Sequence, residues 1–238
     1  MKILLADFRR FIGKKSQISE RLPRMATALS DMGCEVVCAL ADEKKKGAPA
    51  FVLPESVSLY NLYYVKGEMV VRPSVLLKTL KLCLSPISQA AARDQDYRMV
   101  RAAKTPLLRI LKDTAPDVVI SFHEKTSRLL LAGIEADVPV VTWLSDDPDA
   151  LFSDAPYYER HDIEKSACIL ADTEDAVARA KNYLACARFS SLPDIGEQGA
   201  RERWQTFLSD ISEAYREELA KRGPKAAETP FSFFRNNW

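Results

Sequence analysis

The first 40 residues contain the pattern that most restricts the fold of this chain. An apolar run, KILLA at residues 2–6, is typical of a buried strand. After a polar loop, apolar residues recur at helical spacings of three and four: Ile18, Leu22, Met25, Ala26 and Leu29. Gly33 ends this helix, and CEVVCAL at 34–40 predicts a second strand. This order predicts a βαβ unit, and therefore a parallel sheet with a right-handed crossover.

The rest of the chain continues the alternation. Further strand patterns lie at 57–65, 117–121, 138–143 and 167–171. Helical patterns lie at 73–84, 91–114, 126–135, 173–184 and 201–222. Six strands alternating with helices predict an α/β fold with a doubly wound, mainly parallel sheet, a single Rossmann-like domain followed by a C-terminal helix. We place that domain at 1–192, a linker and the C-terminal helix at 193–224, and an aromatic tail (PFSFFRNNW at its end) at 225–238.

Composition excludes several classes of protein. The chain has 34 Lys and Arg against 33 Asp and Glu, a net charge of +1, so no overall field favours nucleic acid. No apolar run reaches about 18 residues, the length that a spanning helix needs. The charges of MKILLADFRR follow its apolar stretch, the reverse of a secretory signal. The five cysteines are odd in number and lie mostly in apolar segments, which indicates reduced core residues of a cytoplasmic protein.

Polar side chains concentrate where the predicted strands end, which is where doubly wound sheets bind ligands. These loops are 7–16, 122–126, 144–149 and 172–175. The first one carries a single glycine, Gly13, among Arg9, Arg10, Lys14 and Lys15. One glycine does not form the phosphate cradle of a P-loop or a dinucleotide fingerprint. The loop is therefore either a basic rim for a phosphate-bearing ligand or a solvated loop.

His123 follows the strand DVVIS and precedes Glu124, so it is a candidate general base or sugar-hydroxyl partner; the alternative is a surface or capping histidine. His161, the second histidine, is expected on an exposed helix. Asp146, Asp147 and Asp149 follow the strand VPVVTW. Three carboxylates in four positions could bind Mg²⁺, but turn formation and helix capping are the commoner use, and we expect no metal site.

Residues 72–112 form a basic amphipathic segment. Its cations alternate with leucines and valines, and the ones expected to face a membrane are Lys78, Lys81, Arg101 and Lys104. Such a segment is typical of a helix on an anionic membrane surface, or of a core-facing helix with a solvated basic face. Both interpretations stay open at the level of the sequence.

Three stretches together resemble one enzyme family. They are MKILLADFRRFIGKKSQISERLPRMATALSDMGCEVVCAL, APDVVISFHEKTSRLLLAGIEADVPVVTW and KSACILADTEDAVARAKNYL. Their order and turn chemistry resemble the N-terminal, acceptor-side Rossmann-like domain of GT-B glycosyltransferases, with the likeness strongest for enzymes that build bacterial surface polysaccharides. The resemblance covers residues 1–192.

The resemblance implies a glycosyltransferase with a nucleotide sugar as co-substrate and no tightly bound cofactor. Gly13 matches the glycine that lets the first loop approach the donor phosphates, and His123, Ser145 and Asp146, with Glu124, match the cleft wall. After Pro193 the sequence passes almost directly to GEQGARERWQTFLSDI, which resembles the C-terminal helix of such enzymes, so the donor half is missing.

Activity would therefore need a donor-binding partner chain or a homo-oligomer, acting on a glycan or lipid-linked acceptor at the inner face of the membrane. The alternatives are a non-catalytic binding or scaffold remnant of a glycosyltransferase, and an unrelated α/β protein that binds small molecules.

Overall fold

The strands among the described residues form one seven-stranded sheet. The computed structural model describes residues 1–7, 21–40, 53–61, 105, 107–133, 137–144, 147–153, 155, 157–186 and 188–222. The strands are β1 (Lys2–Asp7), β2 (Glu35–Leu40), β3 (Ser58–Asn61), β4 (Val118–Ser121), β5 (Val140–Trp143), β6 (Cys168–Ala171) and β7 (Phe189–Ser191). Their spatial order is β3-β2-β1-β4-β5-β6-β7, and every neighbouring pair is parallel. The predicted doubly wound parallel sheet is confirmed.

Helices cover both faces of this sheet. They are α1 (Arg21–Asp31), α2 (107–114), α3 (Glu124–Arg128), α4 (Pro148–Phe152), α5 (Tyr157–Glu164), α6 (Glu174–Ala180) and α7 (Ala200–Arg222). A π-helical turn at Leu129–Gly133 continues α3. No helix in these parts of the chain combines the length and the apolar character needed to cross a membrane.

The alternation of side chains along β1 explains the layered core. Ile3 and Leu5 point to the layer that contains α1 and α7, whereas Leu4 and Ala6 point to the layer that contains α2. All four side chains have no exposed surface. Because successive strand residues point to opposite faces, a strand covered on both sides must be apolar throughout, as KILLA is.

Helix α1 ends in a Schellman motif at Gly33. The Cys34 N–H donates to the Leu29 carbonyl (3.0 Å) and the Gly33 N–H donates to the Ser30 carbonyl (2.9 Å). Gly33 has a φ of +80°, a conformation that costs a residue with a Cβ atom about 1–2 kcal/mol. The predicted stop at this glycine therefore has a backbone reason, and it turns the chain directly into β2.

Two features of the fold differ from the sequence pattern. The sheet has a seventh strand, β7, which the pattern does not predict, because FSS is only three residues long and is partly exposed. The predicted helix at 126–135 begins two residues earlier, as α3, and then widens into the π-helical turn. The predicted helix at 73–84, residues 91–104 of the predicted helix at 91–114, and the aromatic tail at 225–238 lie outside the described residues, whereas 107–114 is helical as predicted.

The C-terminal helix is part of the main core. Trp204 is fully buried, and its ring lies 5.5 Å from that of Trp143 and 5.9 Å from that of Phe207. Its indole Nε1 donates to the Pro193 carbonyl at 3.0 Å. Helix α7 therefore covers the same apolar layer as α1.

Truncation of the central tryptophan should reveal this contribution. We expect Trp204→Ala to lower the free energy of unfolding by about 3–5 kcal/mol, because it removes a fully buried indole and leaves the Pro193 carbonyl without its donor. Urea denaturation followed by circular dichroism measures the loss. Substitution of its exposed neighbour, Arg203→Ala, should change the free energy of unfolding by less than about 0.5 kcal/mol. If Trp204→Ala lowered the free energy of unfolding as little as Arg203→Ala, α7 would add nothing to the core.

Candidate functional site

The strand order reverses between β1 and β4, which are neighbours at the centre of the sheet. From there the chain proceeds outward in opposite directions, which leaves a crevice beyond the carboxyl ends of these two strands. Of the described residues, Asp7 at the end of β1 and His123 and Glu124 after β4 bring acid–base side chains to this edge. Asp7 is only 5% exposed and His123 only 7%. Ionisable groups with so little exposed surface are a common mark of a functional site.

His123 and Glu124 form a close pair. His123 Nε2 lies 3.2 Å from Glu124 Oε1, and the Glu124 side chain is 12% exposed. When the imidazole is neutral and Nε2–H donates to the carboxylate, Nδ1 is the basic nitrogen. The pair can therefore accept a proton at Nδ1 and hold the resulting positive charge beside the carboxylate.

Buried hydroxyl groups fix the backbone of this pair. The His123 carbonyl accepts from Ser121 Oγ at 2.9 Å and from the Ser127 N–H at 3.0 Å. Thr142 Oγ1 on β5 then donates to Ser127 Oγ (2.7 Å) and lies 2.6 Å from Ser166 Oγ. These four hydroxyl side chains are at most 5% exposed. The network ties the loop after β4 to β5 and to the end of α5, so the histidine has a defined position.

A second polar group occupies the carboxyl ends of β5 and β6. The indole Nε1 of Trp143 donates to Asp172 Oδ1 at 2.9 Å, and Asp172 Oδ2 pairs with the Arg21 guanidinium. The same guanidinium lies 5.2 Å above the Trp143 ring, within cation–π range. The Trp143 ring also packs against Phe122, stacked at 5.7 Å, and against Trp204 at 5.5 Å.

This second group is absent from our sequence-based candidates. The strand-end rule includes residues 172–175, and Trp143 ends its strand, so both positions could be found from the sequence. The partner Arg21 could not, because 151 residues separate it from Asp172. Helix α1, which begins at Arg21, brings this side chain to Asp172 at the end of β6.

Asp147 and Asp149, which follow β5, make structural contacts. Asp147 caps α4 by accepting from the Asp149 N–H at 2.9 Å, and its other oxygen pairs with Arg179. Asp149 also contacts Arg179 (3.2 Å) and accepts from Tyr183 Oη (2.7 Å). Capping, which we favour over Mg²⁺ binding, is thus the role of Asp147. Among the described residues no cluster of His, Cys, Asp and Glu has the makings of a metal site.

These contacts shift two pKa values in opposite directions. Desolvation raises the pKa of the Asp147 carboxyl, but the Asp149 N–H and the Arg179 guanidinium outweigh it, so the net pKa is lowered. The hydrogen bond to Asp149, followed by desolvation and nearby carboxylate charges, raises the pKa of Tyr183. The two shifts reflect one packed arrangement of α4 against α6.

Burial makes two of the described cysteines poor nucleophiles. No disulfide joins the described cysteines, Cys34, Cys38, Cys168 and Cys186. Burial raises the pKa of Cys38 to about 12, and burial, with the neighbouring Cys186, raises that of Cys168 to about 12. Since the thiolate is the nucleophilic form, neither core thiol is suited to covalent catalysis near neutral pH.

Several predicted site residues lie outside the described residues. These are Arg10, Gly13, Lys14 and Lys15 of the first loop, Ser145 and Asp146 of the cleft wall, and Lys78, Lys81, Arg101 and Lys104 of the basic segment. His161 lies on α5, is exposed, and has its Nδ1 3.3 Å from Glu164 Oε2, as expected of a surface histidine. Of the predicted cleft residues, the structure brings His123 and Glu124 together at the crevice.

Comparison with solved structures relates this fold to glycosyltransferases. Sucrose-phosphate synthase from Thermosynechococcus elongatus is similar with a TM-score of 0.52 and 9% identity, over 92% of this chain and 99% of that one. UGT89C1 of Arabidopsis thaliana, solved with UDP, is similar with a TM-score of 0.51 and 11% identity, over 84% of this chain and 50% of that one. The structure of UGT89C1 with quercetin has a TM-score of 0.53 and 12% identity, over 88% of this chain and 55% of that one.

These neighbours are GT-B glycosyltransferases, and at such identities the likeness shows a shared Rossmann-like fold. The chain spans about half of the length of the UGT89C1 chains. No family model matches the sequence, and no curated protein matches it either.

The ion pair of Asp147 should make stability depend on acid pH. A carboxyl whose native pKa is lowered stabilises the fold above its unfolded pKa of about 3.9, and this contribution is lost as the pH falls through the native pKa. Asp147→Asn keeps a capping oxygen but loses the charge. We therefore expect it to be less stable than the parent at neutral pH, with the gap closing at acid pH, in urea titrations across pH.

The matched control for this experiment is Asp31→Asn, which removes an exposed ion pair between the last residue of α1 and Arg201. Surface pairs of this kind contribute little, so its effect should be small throughout. If the difference in the free energy of unfolding between the parent and Asp147→Asn does not change with pH, the ion pair contributes nothing. Capping of α4 would then be the remaining role of Asp147.

Proposed function

We propose that this chain is a GT-B glycosyltransferase-like lobe that binds an acceptor sugar at the carboxyl edge of its sheet. The buried His123–Glu124 pair in the crevice between β1 and β4 carries the proposal. The Rossmann-like fold that the chain shares with glycosyltransferases supports it. So does the polar network that fixes the backbone of His123, because an acid–base group needs a defined position.

The chemistry assigned to the pair is proton removal from an acceptor hydroxyl. In glycosyl transfer the hydroxyl oxygen forms a bond to the anomeric carbon of the donor sugar, and the bond from that carbon to the nucleoside diphosphate breaks. The hydroxyl proton goes to His123, and the diphosphate leaves with the bonding electrons. The Glu124 carboxylate, 3.2 Å from Nε2, then lies beside the positive charge of the imidazolium that results.

The donor in this proposal is a nucleotide sugar, used as a co-substrate. UGT89C1 has been solved with UDP, which is the nucleotide product expected of such a donor. The cations Arg10, Lys14 and Lys15 beside Gly13 supply positive charge for the donor phosphates. The second lobe of the active cleft would come from a donor-binding partner chain or from another copy of this chain.

The acceptor that we favour is a glycan or a lipid-linked sugar of a surface polysaccharide. The basic amphipathic segment at 72–112 would hold the protein at the anionic inner face of a membrane, close to a lipid-linked acceptor. The protein would then be cytoplasmic and peripheral.

Substitution of the two histidines tests the catalytic assignment. Transfer is measured with a panel of nucleotide sugars and acceptors, for the chain alone and with candidate donor-binding partners. We expect His123→Ala to lower the transfer rate by about 10²–10⁴-fold, the usual contribution of a positioned base. The exposed His161→Ala is the matched control and should retain the rate. Thermal melting of both variants separates loss of chemistry from loss of fold.

Two outcomes would remove the catalytic part of this proposal. Unchanged transfer by a folded His123→Ala variant would show that this side chain takes no proton. If the chain binds a sugar or a partner but shows no turnover with any combination of nucleotide sugar, acceptor and partner chain, the alternative is favoured. That alternative is a non-catalytic binding or scaffold protein derived from a glycosyltransferase.

Membrane attachment is tested by liposome flotation. We expect the protein to float with vesicles that contain anionic lipid and to remain at the bottom with neutral ones, since each cation near the surface contributes about 1 kcal/mol. Replacement of Lys78, Lys81, Arg101 and Lys104 by glutamine should abolish flotation. The control replaces four exposed cations outside this segment, Lys181, Arg203, Arg216 and Lys221, by glutamine and should still float. Parent protein that stays at the bottom with anionic vesicles contradicts the membrane role.

A further inference from the structure

A second concave surface adjoins the crevice, on the face of the sheet that α1 and α7 cover. It has a volume of about 260 Å³, and its polar walls are Arg21, Arg24, Asp172, Asp194 and Glu197. We propose that this cleft binds one neutral, hydroxyl-rich ring, such as a single sugar unit of an acceptor glycan. The inference deepens the proposed function, on which it rests, by assigning a place and a chemical class to the bound group.

The pairing of charges in the cleft favours a neutral ligand over an anion. The Arg21 guanidinium pairs with Asp172, and Arg24 Nη1 lies 3.3 Å from Asp194 Oδ2. The charge of each arginine is thus already paired, and a phosphate would place further negative charge beside Asp172, Asp194 and Glu197. A pair of neighbouring hydroxyl groups can donate to the carboxylate and accept from the guanidinium without separating them. Each ion pair is thus a ready donor–acceptor pair for a sugar.

The carboxylates are oriented and still accessible. Asp172 uses one oxygen for the Trp143 indole and the other for Arg21, and Asp194 Oδ1 accepts from the Gly196 N–H at 3.0 Å. Because each carboxylate oxygen can accept two hydrogen bonds, acceptor capacity is left on both groups. The side chains of Asp172 and Asp194 are 50% and 47% exposed, so a ligand can reach them.

The remaining lining suits the apolar face of a ring. Met25, Leu192 and Ile195 line the cleft together with Trp143, and Ile195 belongs to the main core. These side chains can pack against the C–H groups of a sugar while its hydroxyls meet the charged walls. The cleft is smaller than the roughly 300–1,000 Å³ of pockets that enclose drug-sized ligands, which limits it to one ring.

The cleft is connected to the proposed base through aromatic packing. Phe122, which precedes His123, stacks on Trp143 at 5.7 Å, and Trp143 donates to Asp172. One acceptor molecule with two linked sugars could therefore place one unit in the cleft and present a hydroxyl of the next to the crevice. The cleft would then set which acceptor is used, with His123 acting on the hydroxyl.

Saturation-transfer NMR with defined probes tests this assignment. The probes are a panel of neutral methyl glycosides and disaccharides, with inorganic phosphate and UDP as anionic probes. We expect saturation of sugar ring protons with the parent chain, and at least about tenfold weaker binding with Asp172→Asn and with Asp194→Asn, since hydrogen bonds to charged groups are lost. Asp31→Asn, which breaks the similarly exposed pair to Arg201, should bind like the parent.

Thermal melting identifies any variant that fails to fold, and the two aspartates provide independent readings. The inference is overturned if no neutral sugar binds the parent, if both folded variants bind like the parent, or if phosphate alone binds. Its failure can be told from failure of the proposed function. A cleft that binds sugar in an aspartate-dependent way, with no transfer that needs His123, upholds the cleft and removes the catalysis. If transfer needs His123 but the KM for the acceptor is unaffected by Asp172→Asn, the catalytic proposal is upheld and the cleft is not the sugar site.

Discussion

Burial of β1 from both sides is the constraint on which the rest of the structure depends. Ile3, Leu4, Leu5 and Ala6 have no exposed surface, and the strand hydrogen-bonds to β2 on one side and β4 on the other. Such a strand can exist only if helices cover both faces, because its backbone and side chains have no contact with water. Its central place also creates the reversal of strand order, and with it the crevice that holds His123 and Glu124.

The crevice and the adjoining cleft share one apolar support. Phe122, Trp143 and Trp204 pack in sequence from β4 through β5 to α7, with ring centroids 5.7 and 5.5 Å apart. Polar groups extend from both ends of this support: the His123 backbone is held by buried hydroxyls, and the Trp143 indole holds Asp172. Rigid apolar packing below and charged groups above is the arrangement by which a scaffold fixes binding residues in place.

Prediction from the sequence was successful where a local pattern reflects a local cause. The apolar runs of the central strands and the stop of α1 at Gly33 could both be predicted. Prediction failed where the cause is distant. Three residues of β7 have no pattern of their own and form a strand because β6 offers an unpaired edge. The widening of α3 into a π-helical turn likewise leaves no mark in LLLAG.

The sequence by itself determined the class of fold and the loops in which polar groups would meet, since strand ends at one edge of a parallel sheet are neighbours whatever their separation along the chain. It also placed His123 next to Glu124, because they are adjacent. Only the tertiary structure decided that Asp147 is neutralised by Arg179 and that Arg21 reaches Asp172 over Trp143. Those pairs depend on how helices pack across the sheet, which results from the sum of many apolar contacts and from no local pattern.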